Sequence, residues 1–504
     1  MQTENLLNSV DPVAIHGTLP REISAVYADS RRIGRGTAFI AIKGTQTDGH
    51  RFIEDAVEKG AELVFGQKSI EAIEIDVNQT AYVQLADTRK SWGFLAQKLA
   101  GHPAKKLKNI GITGTNGKTT VATLVYQLLQ GAGKNASLLG TNGKIFNKQK
   151  VESHLTTADP TELAADMMKA LDAGSEFLVM EVSSHALDQE RTAGVSFDVA
   201  AFTNLSHDHL DYHHTFEAYA NAKKKLFDSL DEDSSTIINA DDDFAGLMAA
   251  ESVAEIIPFS LAGKSRVIAN KEAHPCQILS MDDSGMRLEV DEQEIETPLI
   301  GHFNAYNVAE AYLICRALGL SHRELAKAAK TAHGAEGRLE RITSGHTPEP
   351  TVVVDYAHTP DALENALNAL KSVQKAGQNV IVVFGCGGDR DRKKRPEMGK
   401  IATTYANWIF VTSDNPRTEE PDAIIDEIFQ GIDSKENVTR IADRREAIDQ
   451  SITGADANDI ILIAGKGHET YQEINGVRHD FDDREFARQA LKQRSSSTQK
   501  QEMS

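Results

Sequence analysis

Short, continuous apolar runs recur along this chain, each closed by a polar or glycine-bearing loop and followed by a stretch of helical periodicity. Phe177–Met180 and Val199–Phe202 are such runs in its middle, and Leu107–Ile112 is a short apolar run interrupted by Lys108 and Asn109. Thr351–Val354, Val380–Phe384, Trp408–Val411 and Ile460–Ile463 repeat the pattern in the last third. A run that is apolar at every position reads as a strand buried on both faces, the mark of a parallel sheet covered by helices. Between the runs, Val121, Leu124, Val125, Leu128 and Leu129 recur at helical spacing, with Gly131 as the stop. Tyr219 to Leu230 and the stretch opened by Gly301-His302-Phe303-Asn304 are further helices, and Ala38–Ile42 is an earlier strand.

The alternation predicts an α/β protein of three domains: an N-terminal α/β domain at 1–103, a central parallel-sheet domain at 104–337 and a doubly wound, Rossmann-like domain at 338–494. Gly101-His-Pro103 and Lys105-Lys106 read as a linker, and the polar tail 495–504 as disordered. The length of 504 residues agrees, being too great for one ordinary core.

Charge narrows the function. A formal net charge of −20, from 54 basic and 74 acidic residues, argues against a broad nucleic-acid or anionic-membrane surface. No apolar run reaches the length of a membrane span, and the first residues lack the pattern of a signal peptide. Cys276, Cys315 and Cys386 are scattered, without metal or disulfide spacing. The expectation is a cytoplasmic, monomeric protein acting on small molecules.

The strongest local signal is Gly111-Ile-Thr-Gly114-Thr115-Asn116-Gly117-Lys118-Thr119-Thr120, set between an apolar strand and a helix. Glycines let backbone N–H groups close around phosphate oxygens, and the helix N-terminus adds partial positive charge. Lys118 would reach the outer phosphates and Thr119 would offer a hydroxyl to Mg²⁺. The loop is a variant, with Ile112 where the usual signature has glycine. Two further strands end in Glu181-Val-Ser183-Ser184-His185 and in Thr203-Asn204-Leu-Ser-His207-Asp208-His209. Ligands of open parallel sheets bind beyond the carboxyl ends of strands, so Glu181 and His209 are candidate Mg²⁺ contacts. Lys223-Lys224-Lys225, on a helix, reads from spacing alone as a solvated face. In the last third, four loops follow the strands: Asp355 to Pro360, Gly385 to Arg392, Ser413 to Arg417 and Gly465 to Glu469. Together they make a second candidate site.

In their order along the chain, Gly114 to Thr120, Glu181 to His185, Asn204 to His209, Gly301 to Asn307, Gly337-Arg338-Leu-Glu340 and Asp355 to Pro360 resemble the Mur ligase family, the ATP-dependent amino-acid ligases of cell-wall precursor synthesis. The family shares the variant glycine spacing. The resemblance implies ATP and Mg²⁺ as cofactors, with Asn304 and Arg338 joining the phosphate loop at the nucleotide. Within the family the chain is most similar to the branch that extends UDP-N-acetylmuramoyl-L-alanyl-D-glutamate by a third amino acid. Ala28, Ser30 and the loop Thr45, Gln46 and Thr47 would then hold the UDP end, and Thr156, Thr157, Ser183, Gln189 and Arg191 the rest of that substrate. Leu155 stands where the family's matching loop has asparagine. Lys223 matches the family's carbamylated lysine, whose added carboxylate helps bind a second Mg²⁺.

Asp414-Asn415-Pro416-Arg417 resembles the pattern of members that add meso-diaminopimelate, and members that add L-lysine lack the arginine. An arginine fork suits the extra carboxylate of diaminopimelate and repels the ammonium of lysine. By resemblance Arg390, Gly465 and Glu469 complete that pocket. The implied chemistry is activation of a carboxylate as an acyl phosphate, followed by attack of an amine that His358 or Asp355 helps deprotonate. Closure of the third domain onto the second is expected to assemble the site. A folate polyglutamate ligase, and a nucleotide-dependent switch without ligase activity, are the alternatives.

Overall fold

A computed structural model describes residues 1–44, 47–263, 266–345 and 348–502, with side chains through 495. Thr45 and Gln46 lie outside the described residues. The chain divides into two compact units, Met1–Pro275 with Glu310–Leu325, and Cys276–Ala309 with Ala326–Ser504.

The first unit carries two main sheets, besides a two-stranded hairpin of Val267–Ile268 and Lys271–Glu272. The smaller has five strands in the order Pro12–His16, Ala81–Leu85, Leu63–Gly66, Thr37–Ile40 and Ala25–Tyr27, all parallel except the first. Leu6, Val26, Ile40, Phe65, Val83 and Leu95 fill its core. The larger sheet has a parallel centre in the order Glu255–Ser260, Ser235–Asn239, Val199–Phe202, Lys108–Thr113, Phe177–Glu181 and Ala136–Gly140. Its central strands are buried along nearly their whole length, as continuous apolar runs require. The Lys108–Thr113 strand lies between Phe177–Glu181 and Val199–Phe202, which brings the phosphate loop and both acidic strand ends to one edge.

The expected linker is packed. Pro103–Lys106 form a 3₁₀ turn with Pro103 and Ala104 buried, and the Asn109 amide donates to the Ala104 carbonyl at 2.7 Å. Trp92 Nε1 donates to Thr161 Oγ1 at 2.8 Å, and that hydroxyl donates to the Val26 carbonyl at 2.6 Å. Residues on either side of position 103 therefore share one compact unit. Proline and lysine interrupt a hydrophobic pattern in sequence, yet their neighbours still bury against adjacent elements.

The second unit is built on a six-stranded sheet ordered Glu340–Ile342, Thr351–Asp355, Ile460–Ala464, Val380–Phe384, Trp408–Val411 and Val438–Arg440. All its pairings are parallel except that of the first strand. Helices Pro360–Val373 and Lys394–Tyr405 bury Leu363, Leu367, Leu370 and Met398 in one core cluster. A second cluster joins Arg444–Gly454, through Ala447, Ile448 and Ile452, to the final helix through Ala487, Ala490 and Leu491.

That final helix, Asp483–Glu502, runs to residue 502, into the segment for which the sequence predicts disorder. Its packed first half supplies the costly nucleus, and the following Gln, Lys and Glu residues propagate it. Among the described residues, no helix is long and apolar enough to cross a membrane.

Candidate active site

Gly117 caps the Lys118–Gly131 helix in the left-handed conformation, at φ 87°. Gly114 has φ 146°, and a Cβ there would lie 1.9 Å from Thr203 Oγ1, so glycine is required by both backbone and neighbour. The loop is held from the next strand end. The Asn204 carbonyl accepts from Thr115 N–H at 2.8 Å, Asn204 Oδ1 accepts from Asn116 N–H at 3.0 Å, and Thr203 Oγ1 donates to the Asn116 carbonyl at 2.6 Å. Lys118 Nζ donates to the Gly114 and Thr115 carbonyls at 2.9 and 2.8 Å, tethered over the loop it serves. Thr120 is buried in the first turn of the helix.

Glu181, 1% exposed, ends the strand beside this loop. Its Oε2 accepts from Thr119 Oγ1 at 2.9 Å and Thr141 Oγ1 at 3.2 Å, while Oε1 accepts from Thr141 N–H at 2.8 Å. Thr119 and Glu181 are thus an adjacent hydroxyl and carboxylate pair. That donor set suits a hard cation such as Mg²⁺, which keeps waters and completes its shell with phosphate oxygens. Consistently, among the described residues no three His, Cys, Asp or Glu side chains cluster to hold a metal unaided.

The lysine run departs from the solvated face its spacing suggests. Lys223 and Lys224 are buried, and only Lys225 is exposed. Lys224 is neutralised by Asp228 at 2.7 Å and Glu251 at 2.8 Å. Among the described residues no carboxylate pairs with Lys223 in this way. Its Nζ donates to the Gly114 carbonyl at 2.6 Å, the same oxygen that Lys118 uses, and lies 4.6 Å from the centre of the Tyr219 ring. Burial, and then the charge of Lys118, depress its basicity well below that of an ordinary lysine. Burial likewise pushes the Tyr219 hydroxyl up to about 12. A neutral buried amine is the form that adds CO₂, so the chemistry here fits a lysine carbamate.

His209, itself left-handed at φ 51°, packs edge-on to His185 with ring centres 4.8 Å apart. Burial, then the neighbouring His209, lower the basicity of His185. Next to this group the structure connects four expected substrate residues. Thr157 Oγ1 accepts from Ser183 N–H at 3.1 Å, Arg191 donates to the Thr157 carbonyl at 2.9 Å, and Arg191 Nη2 donates to Gln189 Oε1 at 2.7 Å. Thr156 pairs with Thr141 at 3.1 Å, and Leu155 is exposed. On the five-stranded sheet, Ser30 is buried in a 3₁₀ turn capped by Asp29, next to Ala28, and the Thr47 carbonyl accepts from Gly44 N–H at 2.9 Å.

In the second unit a cavity of about 520 Å³ is lined by Arg390, Asp414, Asn415, Arg417, Gly465 and Glu469, together with His358, Tyr356, Lys394 and their neighbours. Pro416 is not among the lining residues; its backbone packs against Gly388, where a Cβ would lie 1.9 Å from the Pro416 carbonyl oxygen. Arg417 is left-handed at φ 51° and donates from Nη1 to the Gly388 carbonyl at 2.7 Å. Its backbone is pinned to the Tyr471–Ile474/Val477–Asp480 hairpin by Arg417 N–H to Glu473 O at 3.0 Å and Asn475 N–H to Arg417 O at 2.7 Å. His358 Nδ1 lies 2.8 Å from the Tyr356 carbonyl, which makes Nδ1 the donor and Nε2 the lone-pair nitrogen. Burial lowers its basicity. Asp355 accepts from Ala357 N–H at 2.8 Å and Leu339 N–H at 2.7 Å, which fixes the shape of the loop. Arg338 stacks over Tyr356 at 4.8 Å, and Asn304 is buried with its amide donating to the Ile300 carbonyl at 2.9 Å.

Sequence reasoning missed Thr141, Tyr219, Lys394 and Lys466. Lys466, between two glycines directly after a strand, was the one with a readable signal.

Three family models match the chain: "Mur ligase family, catalytic domain" at 22–91, "Mur ligase middle domain" at 112–315 and "Mur ligase, glutamate ligase domain" at 337–467. The chain belongs to the Mur ligase family, whose members are ATP-dependent acid–amino-acid ligases. It is 40% identical over 496 residues to the UDP-N-acetylmuramoyl-L-alanyl-D-glutamate–2,6-diaminopimelate ligase of Cytophaga hutchinsonii, covering 97% of this chain and 99% of that one. It is also 40% identical over 505 residues to the ligase of the same name from Geobacillus thermodenitrificans, covering 98% and 100%. A solved structure bearing that enzyme's name superposes with a TM-score of 0.73 at 35% identity, over 97% and 99% of the two chains.

Proposed function

We propose that this protein joins meso-2,6-diaminopimelate to the free side-chain carboxylate of UDP-N-acetylmuramoyl-L-alanyl-D-glutamate, coupled to cleavage of ATP to ADP and phosphate. The reaction is a step in building the peptidoglycan precursor, and we take the enzyme to work as a cytoplasmic monomer. The observation that carries this reading is the mixed charge of the second unit's cavity. Arg390 and Arg417 offer forks for carboxylate, while Asp414 and Glu469 offer acceptors for ammonium. A zwitterionic amino-acid head needs both signs. Lysine, whose far end is only cationic, would meet Arg417 unfavourably.

The carboxylate oxygen attacks the γ-phosphorus, ADP leaves, and an acyl phosphate forms. The amine then adds to its carbonyl, and phosphate departs. Negative charge accumulates on oxygen in both steps, so the Lys118 ammonium and the N–H groups of Gly117 to Thr119 contribute by facing that charge. Magnesium, bound at Thr119, Glu181 and His209 and at Lys223 as its carbamate, would neutralise phosphate charge. The incoming ammonium must lose a proton, and we assign that task to the Nε2 lone pair of neutral His358. Thr157, Ser183, Gln189 and Arg191 hold the muramoyl dipeptide, and Ser30 with the Thr47 loop holds the uridine nucleotide. Asn304 and Arg338 are further residues we assign to the nucleotide. A folate-type ligase has no task for the Ser30 loop or for Arg417.

The test is ADP release with the UDP-linked dipeptide and Mg-ATP, comparing meso-diaminopimelate with L-lysine in wild type and Arg417→Ala. Strong turnover with diaminopimelate, weak turnover with lysine and a loss of about 100-fold or more in kcat/KM for diaminopimelate in the variant are expected. Preference for lysine would overturn the amino-acid assignment. Absence of turnover with either would overturn the ligase reading.

A further inference from the structure

Beneath the charged cavity lies a lysine that no ligand can touch. Lys466 follows the Ile460–Ala464 strand and is 0% exposed. Its Nζ donates to Asn415 Oδ1 at 3.0 Å and to Glu469 Oε2 at 3.3 Å, and it stands 3.7 Å from Asp414 Oδ1. Asp414 Oδ1 is sealed from solvent and accepts no hydrogen bond among the described residues, which makes this ammonium its nearest compensation. The other fully buried cations of the region are neutralised, Arg444 by the equally buried Asp483 at 2.6 Å and Arg395 by Glu419 and Glu427, each at 2.8 Å, so neither adds net positive charge.

We infer that Lys466 is a specificity-determining positioning residue that sets the charge and geometry of the cavity floor for a zwitterionic head over a lone ammonium. The inference rests on the ligase reading above and adds the residue that tunes the far end of the pocket.

Two consequences of the contacts carry it. The first is orientation. Asn415 Oδ1 accepts from both Lys466 and the Glu473 N–H, the latter at 2.9 Å, which turns the amide nitrogen to donate to Glu469 Oε2 at 2.9 Å. Glu469 is thereby held by Oε2, and its Oε1 accepts from no described residue, which leaves it for a ligand's ammonium. The second is charge. Asp414 and Glu469 with Lys466 sum to one negative charge, matched to one ammonium, while Arg417 takes the carboxylate beside it. Without Lys466 the floor would carry two uncompensated negative charges in a partly desolvated pocket. These would repel the far carboxylate of diaminopimelate and favour the cationic end of lysine.

The experiment measures KM for meso-diaminopimelate, turnover with L-lysine and KM for ATP in wild type, Lys466→Met, Asp414→Asn and the double variant. In Lys466→Met, KM for diaminopimelate should rise about tenfold or more, with KM for ATP unchanged and the lysine-to-diaminopimelate ratio of kcat/KM increased. Asp414→Asn, which is isosteric, removes a negative charge and should move that ratio the opposite way. It keeps the inference testable if the methionine variant does not fold. The double variant restores one net negative charge and should recover selectivity relative to Lys466→Met. Unchanged selectivity in both single variants, or a double variant worse than Lys466→Met, would overturn the inference while wild-type turnover left the ligase reading intact. A wild type inactive with diaminopimelate would sink both.

Discussion

Lys223 and Glu181 show how much a single burial changes. A lysine within a basic run ordinarily faces water, but this one sits beside Tyr219 and shares the Gly114 carbonyl with Lys118. Its basicity in the folded state is lowered, so between that depressed value and the ordinary 10.5 the unfolded chain binds more protons. Stability contributed by this site therefore rises with pH across that window and is lost as pH falls through it. Lys223→Met should abolish turnover yet leave the fold at least as stable near neutral pH, with a shallower pH dependence of the urea midpoint. A large loss of stability would contradict this. Glu181 accepts three hydrogen bonds, two of them from Thr141 and one from Thr119. Glu181→Gln turns an acceptor-only group into one that also donates, so we expect kcat to fall about 100-fold or more, read in the ADP-release assay.

At the level of elements, the phosphate loop and the last helix depend on close approaches. Gly114→Ala would drive a Cβ into Thr203 Oγ1 and force a left-handed alanine, shifting the Asn116 carbonyl that Thr203 and Asn204 hold. Nucleotide affinity should fall at least about tenfold by calorimetric titration with ADP, whereas retained affinity would show that the loop relaxes freely. In the second unit, Asp483 anchors the final helix to Arg444, whose guanidinium also donates to the Ala464 carbonyl at 3.0 Å, at the end of the strand leading to Gly465. Asp483→Asn leaves that buried guanidinium unpaired and should destabilise the second unit by about 3–5 kcal/mol in urea unfolding.

The molecule as a whole carries two tryptophans, one in each unit. Trp92 is tied to Thr161 in the first, and Trp408, 45% exposed, opens a strand of the second. Trp408→Phe and Trp92→Phe would each leave one reporter, and the separate cores predict different urea midpoints for the two. Because the phosphate loop belongs to the first unit, Mg-ADP should raise the Trp92-reported transition more, by ~2.7 kcal/mol at a hundredfold excess over Kd. Coincident midpoints that shift equally would show one cooperative structure.

From the chain alone came the element alternation, the strand–glycine loop–helix context of Lys118, and the four loops of the last third. Those signals are local: period, glycine placement and polar strand ends are written in consecutive residues. Fold class and family followed from them. What the tertiary structure decided are the properties that depend on distant neighbours. It joined residues on both sides of the Pro103 turn in one unit, and it packed Ala487, Ala490 and Leu491 against the Arg444–Gly454 helix so that the tail stayed helical. It buried Lys223 against Tyr219 and Lys466 beneath Asp414, and it tied the Asp355 carboxylate to backbone amides and His358 Nδ1 to the Tyr356 carbonyl. Burial and hydrogen-bond partnership are sums over groups far apart in sequence, so charge state and role emerged only once the sheets had brought those groups together.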